Sequence, residues 1–87
     1  MEIGDEEAVR RFVLRELLRD EDIDLAVNEP IFSSGLLDSF SVVQLICFLE
    51  DRFGLKIPVA DVTIEDFDTI TRALRVVAKL QASQRGQ

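Results

Sequence analysis

At 87 residues the chain is long enough for one small domain, and it lies just above the size, about 70–80 residues, below which disulfides or metals usually supply stability. One cysteine and no histidine exclude an internal disulfide and a zinc site, so apolar packing from the 47% hydrophobic residues must hold the fold. Seventeen acids against 10 bases give a net charge of −7, which repels phosphate backbones, speaks against nucleic-acid binding and suits partners with basic docking patches.

The start, Met1-Glu2-Ile3-Gly4-Asp5, is acidic and has no apolar signal-like core. No apolar run approaches the length of a membrane span. With the single cysteine, this leads to the expectation of a cytoplasmic protein. The first helix is predicted from about Glu6 to Arg19, with Val9, Phe12, Val13 and Leu17 as its buried stripe. Asp5, Glu6 and Glu7 load its first turn with negative charge, and Arg15 and Arg19 load its last, both in agreement with the helix dipole.

Asp20 to Leu37 form a long connection, and loops of this length in small domains are often functional. Ile23, Leu25, Val27, Ile31, Phe32, Leu36 and Leu37 are apolar, so the segment is expected to pack down. Asn28-Glu29-Pro30 and Ser33-Ser34-Gly35 read as turns. Asp20, Asp22 and Asp24 mimic the first ligands of a calcium loop. The sixth position, however, is Leu25 rather than glycine and the twelfth is Ile31 rather than glutamate, so that reading fails.

After the connection comes Gly35-Leu36-Leu37-Asp38-Ser39-Phe40. No helical period precedes Asp38, whereas Val42, Leu45, Ile46, Leu49 and Phe53 recur at helical spacing after it. A second helix is therefore predicted from Ser41 to Arg52, ending near Phe53 at the Gly54 stop. Asp38 is a good N-cap, and Ser39 falls at the positive end of the helix, where anions are favoured.

Lys56-Ile57-Pro58 is then extended. Thr63 caps a short third helix over Ile64-Glu65-Asp66-Phe67, and Thr69 caps the last. That helix carries Ile70, Ala73, Leu74, Val77 and Leu80 inward and Arg72, Arg75 and Lys79 outward. The polar residues that follow read as a frayed tail. The expectation is one domain over residues 1–87, ordered over about 5–81 with a frayed tail at 82–87. Its fold class is all-α: an irregular antiparallel four-helix bundle of three long helices and one short one, with a long first loop.

The Asp38-Ser39-Phe40 segment with Gly35 ahead of it resembles the phosphopantetheine-attachment motif of acyl and peptidyl carrier proteins, in which Leu, Met or Phe follows the serine. The likeness spreads over nearly the whole chain, through Pro30-Ile31-Phe32, Phe53-Gly54-Leu55-Lys56-Ile57-Pro58 and Glu65-Asp66-Phe67. Only the Asp-Ser segment is diagnostic. The resemblance implies an acyl-carrier-like bundle and a covalent 4'-phosphopantetheine arm, taken from coenzyme A, on Ser39. It further gives Asp38 a part in recognition by the phosphopantetheinyl transferase.

The second helix has more apolar surface than a bundle needs. Phe40, Val43 and Cys47 lie roughly opposite the core stripe, at spacings of three and four, starting beside Ser39. Apolar surface next to a functional residue marks an interaction site; burial in the core or under the loop is the alternative, the lesser one for Val43 and Cys47 and an equal one for Phe40. The resemblance makes this the recognition helix for partner enzymes and adds Gln44, Glu50 and Asp51 as docking candidates. Bacterial fatty-acid carriers usually place acids two and five residues after the serine. Here those positions hold Ser41 and Gln44, so the resemblance leans toward a stand-alone aminoacyl, peptidyl or specialised-pathway carrier, the D-alanyl type included.

An enzyme reading has little support: Ser39 and Cys47 have no histidine to activate them, and no Gly-x-Ser-x-Gly elbow is present. A non-modified helical adaptor explains the bundle and its acidity but not the Asp-Ser motif. The expected protein is therefore a monomeric carrier, not an enzyme, that holds an acyl, aminoacyl or peptidyl thioester in a specialised or natural-product biosynthetic pathway. Its partners are a phosphopantetheinyl transferase, a loading ligase or acyltransferase, and downstream biosynthetic enzymes, with neither nucleic acid nor stable membrane insertion. The alternatives are a fatty-acid-type carrier or the adaptor.

Overall fold

Acidic charge at Asp5, Glu6 and Glu7 opens the first helix of the computed structural model, which describes residues 4–85. Gly4 precedes it in an extended conformation, and its carbonyl accepts the first bond, from Ala8 at 2.9 Å. This helix, α1 (Asp5–Phe12), continues as a π-helical stretch (Val13–Leu18). It stops at Arg19, which takes left-handed φ of 56° where a glycine is usual. The Leu14 carbonyl receives the amides of both Arg19 and Asp20 there. The wider turn places Leu14 beside Val13 in the core, while Phe12 and Leu17 of the expected stripe are only half-buried.

The long connection packs down: Leu25 and Ile31 are among the most buried side chains, and Leu37 is buried at its end. Leu36 is the exception and stays exposed. The next helix, α2 (Ser41–Phe53), buries Leu45, Ile46 and Leu49, with Val42 and Phe53 half-buried against the same core. Gly54, at φ of 63°, ends it by returning its amide to the Glu50 carbonyl at 2.9 Å.

The expected short third helix is a finding of a different kind. Ile64–Phe67 is a single 3-10 turn, preceded by another at Val59–Asp61. Asp66 Oδ2 accepts from the Thr63 amide at 2.8 Å, which caps this one turn, and Phe67 at its end is fully buried.

Helix α3 (Ile70–Arg85) starts where Thr69 Oγ1 accepts from the Arg72 amide at 3.0 Å. Ile70, Ala73 and Val77 are buried, and Leu74 and Leu80 are half-buried. It runs past the expected end near residue 81. The correction has a local cause: Gln84 donates to the Lys56 carbonyl at 2.8 Å and accepts from the Lys56 amide at 3.4 Å. The expectations for residues 1–3 and 86–87 lie outside the described residues. The fold is all-helical, with α1 packed on α3 and the π stretch against α2. No helix among the described residues is long and apolar enough to cross a membrane.

Candidate functional site

The site begins with a closed loop. Gly35 sits at φ of 89°, and its amide bonds the Phe32 carbonyl at 3.1 Å. A side chain there would meet no neighbour, so the backbone angle and not space favours glycine. Ser34 Oγ donates to the Pro30 carbonyl at 2.6 Å. The Leu37 amide then bonds the Ile31 carbonyl at 2.8 Å, which closes the loop on itself while the Leu37 side chain anchors in the core.

One residue later the chain enters α2 through a tight turn. The Asp38, Ser39 and Phe40 carbonyls accept from the amides three residues ahead, at 3.1, 3.3 and 3.3 Å. Asp38 Oδ1 accepts from the Ser41 amide at 3.1 Å and from Ser41 Oγ at 3.3 Å. Ser39 is therefore held on the first turn of the helical segment. It is exposed, and its hydroxyl has no hydrogen-bond partner among the described residues. An exposed, unengaged hydroxyl at the positive end of a helix suits a phosphodiester. The residues present fit a phosphopantetheine group on Ser39.

The outer face of α2 carries Phe40 at 82% exposure and Val43 at 60%. Gln44, Cys47 and Asp51 are exposed along the same helix, and Cys47 is a free thiol. The equal alternative for Phe40, burial under the loop, is excluded. A cleft of about 440 Å³ beside Cys47 is lined by Glu50, Asp51, Gly54, Leu55, Lys56 and Gln84, toward the C-terminal end of α2. Glu50 departs from the docking expectation. It is half-buried, and Glu50 Oε2 accepts from the Ile57 amide at 2.8 Å. The turn at Gly54 brings the chain back over this carboxylate, which gives it an internal task.

Two features of the site region were not anticipated. Phe48 stacks on Phe12 with ring centroids 4.2 Å apart, which ties the middle of α2 to α1. Asp68, only 9% exposed, clamps the loop ahead of the motif. Asp68 Oδ1 accepts from the Phe32 amide at 2.8 Å and the Ser33 amide at 2.9 Å; Oδ2 accepts from Ser33 Oγ at 2.6 Å. The Asp68 carbonyl also accepts from the Ile31 amide at 2.7 Å. Burial works to raise the pKa of this carboxyl. The hydrogen bonds from Ser33 and Phe32 and the charge of Arg72 outweigh it and hold the carboxyl below its ordinary value. The one sequence signal was an aspartate left over beside Thr69, which already serves as the cap.

Comparison with known proteins agrees with this geometry. The family model described as "Phosphopantetheine attachment site" matches residues 8–77. The chain is similar to the D-alanyl carrier proteins of Streptococcus pyogenes serotype M5 (strain Manfredo) and serotype M49 (strain NZ131). Each is 36% identical over 61 residues, which covers 70% of this chain and 77% of the relative.

Proposed function

The chain belongs to the phosphopantetheine-attachment family of carrier proteins, which bear 4'-phosphopantetheine covalently and catalyse no reaction themselves, and from this we propose that Ser39 is the attachment residue and that the cargo is an aminoacyl group of the D-alanyl kind. The group supplies a terminal thiol that carries the cargo as a thioester. Ser39 offers the hydroxyl, and Asp38 caps the turn that presents it and contributes to recognition by a phosphopantetheinyl transferase. Carriers work with such transferases and with ligases; the partners of this chain are a transferase, a D-alanine-activating ligase and the enzymes that receive the loaded group, in the cytoplasm. The Ile64–Phe67 turn takes the place of the short helix in the four-helix carrier bundle.

The observation that carries the attachment site is the exposed, unengaged Ser39 on the first helical turn. The cargo rests on the likeness to D-alanyl carriers. A fatty-acyl cargo is less well supported, because Ser41 and Gln44 stand where fatty-acid carriers usually have acids. Coexpression with a phosphopantetheinyl transferase is expected to add the mass of one phosphopantetheine to the wild-type chain and none to Ser39→Ala, which stays helical. Modified Ser39→Ala would sink the assignment. The holo chain, offered ATP and a panel of acyl and aminoacyl donors with their ligases, is expected to load D-alanine; exclusive loading of a fatty acid would overturn the cargo.

A further inference from the structure

Asp68 lies 29 positions after Ser39. Its carboxylate nevertheless holds the main chain that leads to that serine. Oδ1 takes two amides, Oδ2 takes the Ser33 hydroxyl, and the Asp68 carbonyl takes the Ile31 amide. Ile31 in turn receives the Leu37 amide, which leaves only Asp38 between this anchored loop and Ser39. The buried Leu37 and the Asp68 carbonyl anchor the two ends of this loop, and one nearly buried carboxylate at the foot of α3 holds its middle, since no other side chain among the described residues bonds Phe32 or Ser33.

We infer that Asp68 is a positioning residue for modification of Ser39: its clamp on Phe32 and Ser33 keeps the attachment turn in the one placement a transferase accepts. The inference rests on Ser39 being the attachment residue. If the clamp is lost, the loop samples several placements. A transferase then meets the competent one only part of the time, and the apparent affinity falls by that fraction. The chemistry of the bound complex is unaltered, so KM for the carrier rises while kcat holds. A purely structural role acts differently. It lowers the melting temperature but leaves KM unchanged at temperatures where the chain is fully folded.

The test is steady-state modification of the full chain by a broad-specificity phosphopantetheinyl transferase with coenzyme A, well below each variant's melting temperature. Asp68→Ala is expected to raise KM for the carrier about tenfold, with kcat within about twofold of wild type. Asp68→Asn retains an oxygen for the two amides and is expected to recover most of that loss. Ser33→Ala removes only the hydroxyl bond and is expected to raise KM about threefold, with no further rise when combined with Asp68→Ala. Wild-type KM in folded Asp68→Ala overturns the inference. Should that variant not fold, Ser33→Ala and Asp68→Asn decide: wild-type KM in a folded variant whose Phe32 and Ser33 amides have lost exchange protection overturns it equally. If wild type takes no phosphopantetheine, or Ser39→Ala takes it, the attachment assignment itself has failed, whatever the Asp68 variants do.

Discussion

Asp38 Oδ1 accepts from the Ser41 amide, and the side chain is otherwise exposed. Capping and the proposed part in recognition by a transferase are therefore separable. Asp38→Ala is expected to cost about 1 kcal/mol of stability, as cap removal typically does. Asp38→Asn keeps a capping oxygen but loses the charge, so its melting temperature stays near wild type while phosphopantetheine addition slows. A large melting loss with an unchanged addition rate would assign Asp38 to folding alone. Asp68 carries a pH signature. Its carboxyl is held below its ordinary value in the folded chain, so its contribution to stability is fully present above the unfolded pKa, about 3.9. That contribution is lost as pH falls through the folded value. The melting-temperature gap between wild type and Asp68→Asn is expected to narrow below about pH 4. A gap that stays constant there would contradict the hydrogen-bonded carboxylate. Glu50, a docking candidate only through the resemblance, also has an internal partner that the sequence does not announce. Its neighbours in sequence mark a solvent face, and only the return of the chain at Gly54 brings the Ile57 amide to it.

Helix α2 has one buried face and one exposed apolar face. Leu45 and Leu49 are fully buried, whereas Val43 is 60% exposed and Cys47 is exposed. Val43→Asp and Cys47→Asp are surface changes, expected to stay within about 0.5 kcal/mol of wild type. Leu45→Asp buries an unpaired carboxylate, costs several kcal/mol and is expected to unfold the domain. If the outer face docks partners, the first two variants also raise KM for the loading ligase while remaining folded. Wild-type loading by both would move docking elsewhere. The two stripes were legible because both follow one period from a marked start at Asp38. The π stretch of α1 was not: its apolar residues fit an α spacing equally well, and the choice follows from which side chains the core accepts. The end of α3 was hidden for a related reason. Residues 82–84 have no apolar period, and the pairing of Gln84 with Lys56 joins segments 28 positions apart.

At the scale of the whole molecule, the motif and the all-helical class were readable locally, and the ties between distant segments were not. Val27 accepts from both the amide and the hydroxyl of Thr71, at 2.9 and 3.1 Å. With the Asp68 clamp, the crossover is hooked to the foot of α3 at two places. Nothing in the pattern of residues 20–40 announces a partner that far along the chain.

This hooking sets an order of events during synthesis. The ribosome delivers the Asp-Ser segment well before Asp68 and Thr71, and elongation at about 5–20 residues per second leaves an interval in which the motif exists without its anchor. Chains stalled with Ala60 just outside the ribosome are expected to take little phosphopantetheine, and chains exposed through Leu80 to take it readily. Equal labelling at both lengths would show that the bare peptide suffices. With the expected result, a prematurely terminated chain never acquires a thiol arm, and so never diverts activated cargo from complete carriers.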